Sequence, residues 1–494
     1  MTNATTAIAR RFLLAAILVL APCAAFAQAK GKPPKVSELL ARIEEQQKEI
    51  EAQRALLATQ SQQITAQDQQ IAAQDKRLEE MNKTLQELAL QVAQQAQAVE
   101  PTPQFFERLS ALEQTVKEKP DLPPDMVTAG DFPGSIRVPG STQTFKIGGY
   151  VRSTLIQTLS PLGSDDRFLT NSIPVGEEES GQVTRFQTSV RPSAINFEFR
   201  TPTQGVPLRA FVEGDFASTS GNDFRLRHAY IQFDDFLAGQ TWSTFSDLEA
   251  EPEGVDFEGL NAINILRQTQ FRWTPAIGSF GRLAIAVEDA DASITGGTGA
   301  NRYPDLIFGR RQRFEKGHLF LALSLRDIRG QLASDPTVLA NDLGWAVTVS
   351  GRRATSLAEG DEFRFQATIG EGSARYINDL NSLGGQDAVF DENTKRLEAL
   401  PAMGAYFAYE HHWGSWRWLA NMRSTGVVGM VYVNNKSIQP ADAYHSTGRV
   451  TLNFLTSPFP TMNIGIEFIA GRRVNKDKQH GTSGQVQMMA QYRF

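Results

Sequence analysis

From Phe145 to Phe494 apolar and polar side chains alternate with a period of two, and no other feature constrains the fold as tightly. Side chains along an extended strand point to opposite faces in turn, so each such segment has one apolar and one polar face. The last eleven residues, GQVQMMAQYRF, show this most clearly. Val486, Met488, Ala490, Tyr492 and Phe494 share one face, while Gln485, Gln487, Gln491 and Arg493 share the other. The pattern recurs in Phe145–Leu155, in Ile195, Phe197 and Phe199 against Asn196, Glu198 and Arg200, and in Leu319, Leu321, Leu323 and Leu325 against His318, Ser324 and Arg326. About sixteen segments can be counted, starting near 145, 184, 207, 223, 236, 267, 280, 305, 318, 344, 361, 403, 416, 443, 461 and 484.

The connections add an independent signal. Alternate ones are tight: Thr201–Val206, Asp234–Asp235, Pro275–Ser279, Glu315–Gly317, Ala354–Gly360, Trp413–Ser415 and Thr456–Thr461. Several between them are long, notably Ser160–Val183, Ser246–Leu266 and Gly372–Ala402. A transmembrane barrel with short periplasmic turns and long external loops has this asymmetry. The parity puts both chain ends of the barrel on the periplasmic side. The final aromatic, with a second aromatic two residues earlier, resembles the closing strand of bacterial outer-membrane β-barrels. Only 41% of residues are hydrophobic, which suits a barrel whose alternate residues meet lipid.

Export is written at the start. Arg10 and Arg11 precede an apolar run from Phe12 to Ala21, and Ala25-Phe26-Ala27 forms a cleavage site. Residues 1–27 are thus expected to be a signal peptide. Pro22 fits poorly before Cys23 in a lipoprotein signal, so cleavage after Ala27 is expected and leaves no cysteine and no disulfide. That cleavage removes two arginines and no acids, moving the formal charge from −6 to −8. No later run of about 18 apolar residues offers a membrane helix.

Residues 28–100 read as an α-helical coiled coil. Val36, Ile43, Ile50, Leu57, Ile64, Ile71, Leu78, Leu85 and Val92 recur every seven residues, with Leu39, Met81, Leu88 and a series of glutamines three places later. A single apolar stripe with so polar a remainder predicts self-association. Its roughly 60 residues would make a rod of roughly 90 Å. Residues 101–144 follow as a short helix, Gln104 to Lys119, and a Pro/Gly-rich linker.

The face assigned to the lumen is rich in arginine: Arg152, Arg209, Arg227, Arg272, Arg282, Arg326, Arg352, Arg364, Arg417, Arg423 and Arg449. Arg200 and Arg493, near strand ends, are expected to help hold the wall. Guanidinium offers paired donors to carboxylate or phosphate and stays charged. Such a ladder favours anions over cations. The competing reading is that these arginines pair with Glu198, Glu213, Asp215, Glu288 and Glu467 merely to brace the barrel.

Five stretches sharpen the reading: FKIGGYVRSTL (Phe145–Leu155), FRLRHAYIQF (Phe224–Phe233), LAGQTWSTF (Leu237–Phe245), VDFEGLNA (Val255–Ala262) and YPDLIF (Tyr303–Phe308). Together they resemble the DcaP-like family of trimeric outer-membrane porins. The resemblance implies a homotrimer of sixteen-stranded all-β transmembrane barrels over residues 145–494, taking up small anionic, dicarboxylate-like solutes. It also implies that Ser246–Leu266, between the fifth and sixth strands, folds inward as a constriction loop. That loop carries Asp247, Glu249, Glu251, Glu253, Asp256 and Glu258, which would face a basic wall across the pore. Expected partners are outer-membrane lipid and lipopolysaccharide, with peptidoglycan at the rod. An alternative is a structural tether in which the rod reaches toward peptidoglycan and the barrel is an anchor. Six scattered histidines and the lack of a nucleophile elbow, Walker loop or HExxH motif argue against an enzyme, a metal or a cofactor. Arginine alternating with apolar faces argues against nucleic acid.

Overall fold

The computed structural model describes residues 127–494 apart from 165, 177–183, 219–220, 356, 381–385 and 417–418. The signal segment, the heptad stretch, the helix expected from Gln104 to Lys119 and Arg417 lie outside the described residues.

Sixteen antiparallel strands follow one another around a closed barrel. They are β1 (Thr144–Thr158), β2 (Arg185–Ser189, resumed as Ala194–Thr201), β3 (Leu208–Asp215), β4 (Arg225–Phe233), β5 (Phe236–Trp242) and β6 (Arg267–Trp273). Next come β7 (Arg282–Glu288), β8 (Asp305–Phe314), β9 (Gly317–Leu332), β10 (Leu339–Ala354) and β11 (Glu362–Glu371). The ring ends with β12 (Pro401–Trp416), β13 (Leu419–Val433), β14 (Tyr444–Phe459), β15 (Met462–Asn475) and β16 (His480–Arg493). Closure is at β1, which sets Ile147 opposite Phe197 of β2 and Val151 opposite Tyr492 of β16.

Alternation dictates what each face meets. Val151, Ile369, Phe407, Val428, Val450 and Met488 point outward and are exposed, whereas Ser324, Thr348, Thr425, Gln485 and Gln487 point inward and are buried. An apolar belt outside a polar interior is the inverse of a water-soluble fold and the arrangement a bilayer requires. Aromatic side chains gather near the rim of tight turns, among them Phe233, Phe236, Trp273, Phe314, Trp413, Phe459, Tyr492 and Phe494.

Two local departures from the expected strands have chemical causes. The second strand is broken at 190–193, where Pro192 has no N–H to donate and Ser193 instead closes a turn on the Val190 carbonyl at 3.0 Å. The turn expected at Trp413–Ser415 is a pair of bulges instead. Gly414 takes a φ of 69° and pairs with Met422, so β12 and β13 stay hydrogen-bonded out to Trp416 and Leu419.

The wall is uneven in height. β5, β6 and β7 have seven residues each, while β9, β10, β12 and β14 have sixteen. At the rim of tight turns, Ile136 and Arg137 form a short strand against Phe145 and Thr144, covering the part of the β1 edge that β16 leaves unpaired. At the opposite rim, Ile294–Thr295, Ala388–Asp391 and Arg396–Ala399 form a separate three-stranded sheet. It packs Ile294, Phe390 and Leu397 onto Ile328 and Leu332 of β9.

Candidate functional site

The segment between β5 and β6 leaves the wall and re-enters it at a closed neck, where Ser243 N–H donates to Leu266 O at 2.8 Å. Glu288 of β7 fixes the departure, accepting from the Ser243 hydroxyl and the Thr244 N–H, both at 2.6 Å. From there the chain travels inside the barrel in two limbs. The first runs low, near the tight turns. Asp247 meets Arg311 and His318, each at 2.8 Å, and Ser350 at 2.7 Å. Glu249 takes Arg311 and Arg313, the latter at 2.6 Å. Ala250 O accepts from Tyr406 at 2.9 Å, Glu251 O from Arg364, and Glu253 from Arg423 at 2.8 Å.

At the apex Val255 O accepts from Arg152, and Val255 N–H donates to Glu467. Asp256 is held by Arg449 at 2.8 Å and Gln487 at 3.0 Å. The returning limb runs higher. Asn264 reaches Thr348 and Thr368, both at 3.0 Å, and the backbones of Ala262 and Ile263 exchange hydrogen bonds with Asn378 at 3.1 and 2.8 Å. Asn378 belongs to the long loop between β11 and β12, so that loop also enters the barrel. The loop after β1 does likewise: Phe168 N–H donates to Asp256, and Asn171 N–H to Asp379 at 2.8 Å.

These paths put most of the inward loop's acids against arginines of the wall they lie on. The loop therefore lines the β8–β16 half of the wall, and the passage is left on the side of β1–β6. It opens as a cavity of about 1230 Å3 bounded by nine arginines (152, 167, 191, 225, 227, 267, 364, 449 and 493) and six acids (166, 251, 253, 256, 258 and 467). Arg225 and Arg227 grip Asp215 at 2.7 and 2.6 Å, and Arg227 also takes Glu213 at 3.1 Å. Arg267 stacks on Trp242 at 4.4 Å, and neither it nor Arg272 has a carboxylate partner among the described residues. Burial raises Glu251 and Glu258 to about 7, the latter against the pull of Arg167.

The remaining arginines occupy different stations. Arg209 pairs with Glu198 at 3.0 Å and Tyr230 at 2.7 Å. Arg282 sits at the tight-turn rim on Asp235 at 2.6 Å, with its side chain 54% exposed. Arg352 faces Glu362 at 3.4 Å. Arg326 is sealed from the passage by Asp305 at 3.0 Å and Asp387 at 2.8 Å, locking the long loop to β9.

The family model for the DcaP outer membrane protein matches residues 143–494, the whole of the barrel. The chain belongs to the DcaP family. Among solved structures, the outer-membrane channel DcaP of Acinetobacter baumannii is similar at a TM-score of 0.64 and 21% identity, over 74% of this chain and 100% of that one. An anion-selective porin from Comamonas acidovorans aligns at a TM-score of 0.46 and 8% identity, over 71% and 100%. OmpT of Vibrio cholerae aligns at 0.43 and 11%, over 71% and 98%. No curated protein matches the sequence.

Within this DcaP barrel the stretches that carried the resemblance have definite places. FKIGGYVRSTL builds most of β1, and VDFEGLNA is the apex and returning limb of the inward loop. Several residues of the passage were missed from sequence: Arg167, Arg191, Arg225, Arg267 and Phe257. Arg225 was within reach, since it shares parity with Arg227. A bulge between Glu213 and Gly214 then lets Arg225, Arg227 and His228 all turn toward Glu213 and Asp215 or Thr241, which strict alternation forbids. Arg167 and Arg191 lie outside the regular strands and carry no periodic signal.

Proposed function

We propose that this DcaP protein is a passive outer-membrane channel for small hydrophilic anions, dicarboxylate-like solutes among them. The observation that carries this reading is the guanidinium lining of the passage, nine arginines beside six acids, in which Arg267 has no carboxylate partner among the described residues. Loop acids spent on Arg311, Arg423 and Arg449 cannot repel an anion as bare charges would. On the arc of β1–β6, Arg267 then supplies positive potential that no carboxylate among the described residues offsets by an ion pair.

The low wall supports the homotrimer. Seven residues at about 3.4 Å each, tilted about 40°, rise roughly 18 Å, short of the roughly 25 Å apolar band a barrel presents to lipid. Neighbouring copies set against this side would cover it, leaving the taller strands to face lipid and lipopolysaccharide.

Reconstitution into planar bilayers tests the function. Under a potassium chloride gradient the reversal potential should have the sign of chloride preference. A cation-preferring or permanently closed barrel would end the proposal.

A further inference from the structure

Phe257 is the one large apolar side chain at the apex of the inward loop, between two acids that are both held. Asp256 is fixed by Arg449 and Gln487 at 2.8 and 3.0 Å. Glu258 meets Arg167 at 3.4 Å, and its carbonyl accepts from Asn378 at 3.3 Å. The backbone on either side is therefore immobilised, and the ring's position is set by the fold. It projects away from the β14–β16 wall into the cavity, where four cations from three separate elements converge on it. Its centroid lies 5.8 Å from Arg152, 5.7 Å from Arg167, 6.0 Å from Arg225 and 5.7 Å from Arg227.

An aromatic ring does something there that neither an acid nor an aliphatic side chain could. Its negative face attracts guanidinium while carrying no net charge. Four arginines can thus be gathered without a further carboxylate, which would add to the acids that Arg167, Arg225 and Arg227 already hold. The ring also removes cross-section from the passage and presents a surface that holds no water, so a solute must slide past it on the arginines.

We propose that Phe257 is the specificity-determining residue of the constriction: it sets the aperture and keeps the surrounding guanidiniums available to anions. This rests on the reading of the barrel as an anion-preferring channel, yet it can fail separately. Single-channel conductance and reversal potential would be measured for wild type, Phe257→Ala, Phe257→Leu and Phe257→Trp, each first shown to give the same β-sheet circular dichroism as wild type. Conductance should fall in the order Ala, Leu, wild type, Trp, with alanine about twofold above wild type. Anion preference should survive in the tryptophan variant, which keeps a ring, and weaken in the alanine variant. Conductance that ignores side-chain size would overturn the proposal, as would equal flickering in Ala and Leu, the mark of a loosened loop. If Ala fails to fold, Leu and Trp decide the order. A wild-type channel with no anion preference but an intact size order would sink the functional reading while sustaining the aperture.

Discussion

The two halves of this barrel differ in how closely their inward arginines are matched by acids. On the tall side, β8 to β16, two arginines are buried with two acids each and act as struts: Arg326 with Asp305 and Asp387, Arg449 with Asp256 and Glu467. On the low side, β1 to β6, Arg267 and Arg272 have no such partner among the described residues, while Arg225 and Arg227 share Asp215 and Arg227 also takes Glu213. The same side chain is structural where it is dry and paired, and electrostatic where it is wet and outnumbers its acids. Counting arginines on the inward face therefore overstates the pore's positive charge, because the struts contribute little field beyond their own pairs.

Removing a strut should have the largest effect. Arg449→Met leaves Asp256 and Glu467 buried without a cation, a loss of about 3–5 kcal/mol. Thermal melting followed by circular dichroism in detergent should show a sharp drop, and surviving channels should lose some anion preference as Asp256 and Glu467 are bared in the passage. A melt equal to wild type would erase the distinction between the halves. The mirror experiment is the double reversal Arg267→Glu and Arg272→Glu. It orphans no acid, so stability should hold, while the chloride-to-potassium permeability ratio falls about tenfold or more.

Acidity should separate the halves more gently. Glu251 and Glu258 line the passage and are raised to about 7, so they gain protons as pH falls through neutrality. The passage then becomes more positive, and anion preference should be stronger at pH 6 than at pH 8. Glu251→Gln with Glu258→Gln should fix the acid behaviour at both values. The smallest effect concerns Asp379, where the loop after β1 meets the long loop. Burial raises its carboxyl to about 6, above its value in an unfolded chain, so its contribution is greatest in acid and is lost as pH rises through 6. The melting temperature should decline modestly from pH 5 to pH 7.5, and Asp379→Asn should flatten that slope.

Strand number and order were legible because alternation repeats over hundreds of residues, and a slip of one position would turn Leu319, Leu321 and Leu323 into the lumen. Even the break in β2 has a visible cause in Pro192. The site was legible only in part. Parity places Arg152, Arg364, Arg423 and Arg449 on the inner face, but it cannot say that Asp256 or Glu253 will come to lie beside them. Those pairings depend on the route of a loop across nine strands, which has no period. Phe257 carried no signal for the same reason: its significance comes from Arg152, Arg167, Arg225 and Arg227, brought together from distant parts of the chain.

The small sheet at the long-loop rim has a consequence for how this protein can change. Strips from two different excursions of the chain share backbone hydrogen bonds and one patch of Ile294, Phe390 and Leu397. To anything approaching from that side they form a single tile. Grafting either strip alone from a relative would leave a ragged border, so the pair must be inherited, or engineered, together.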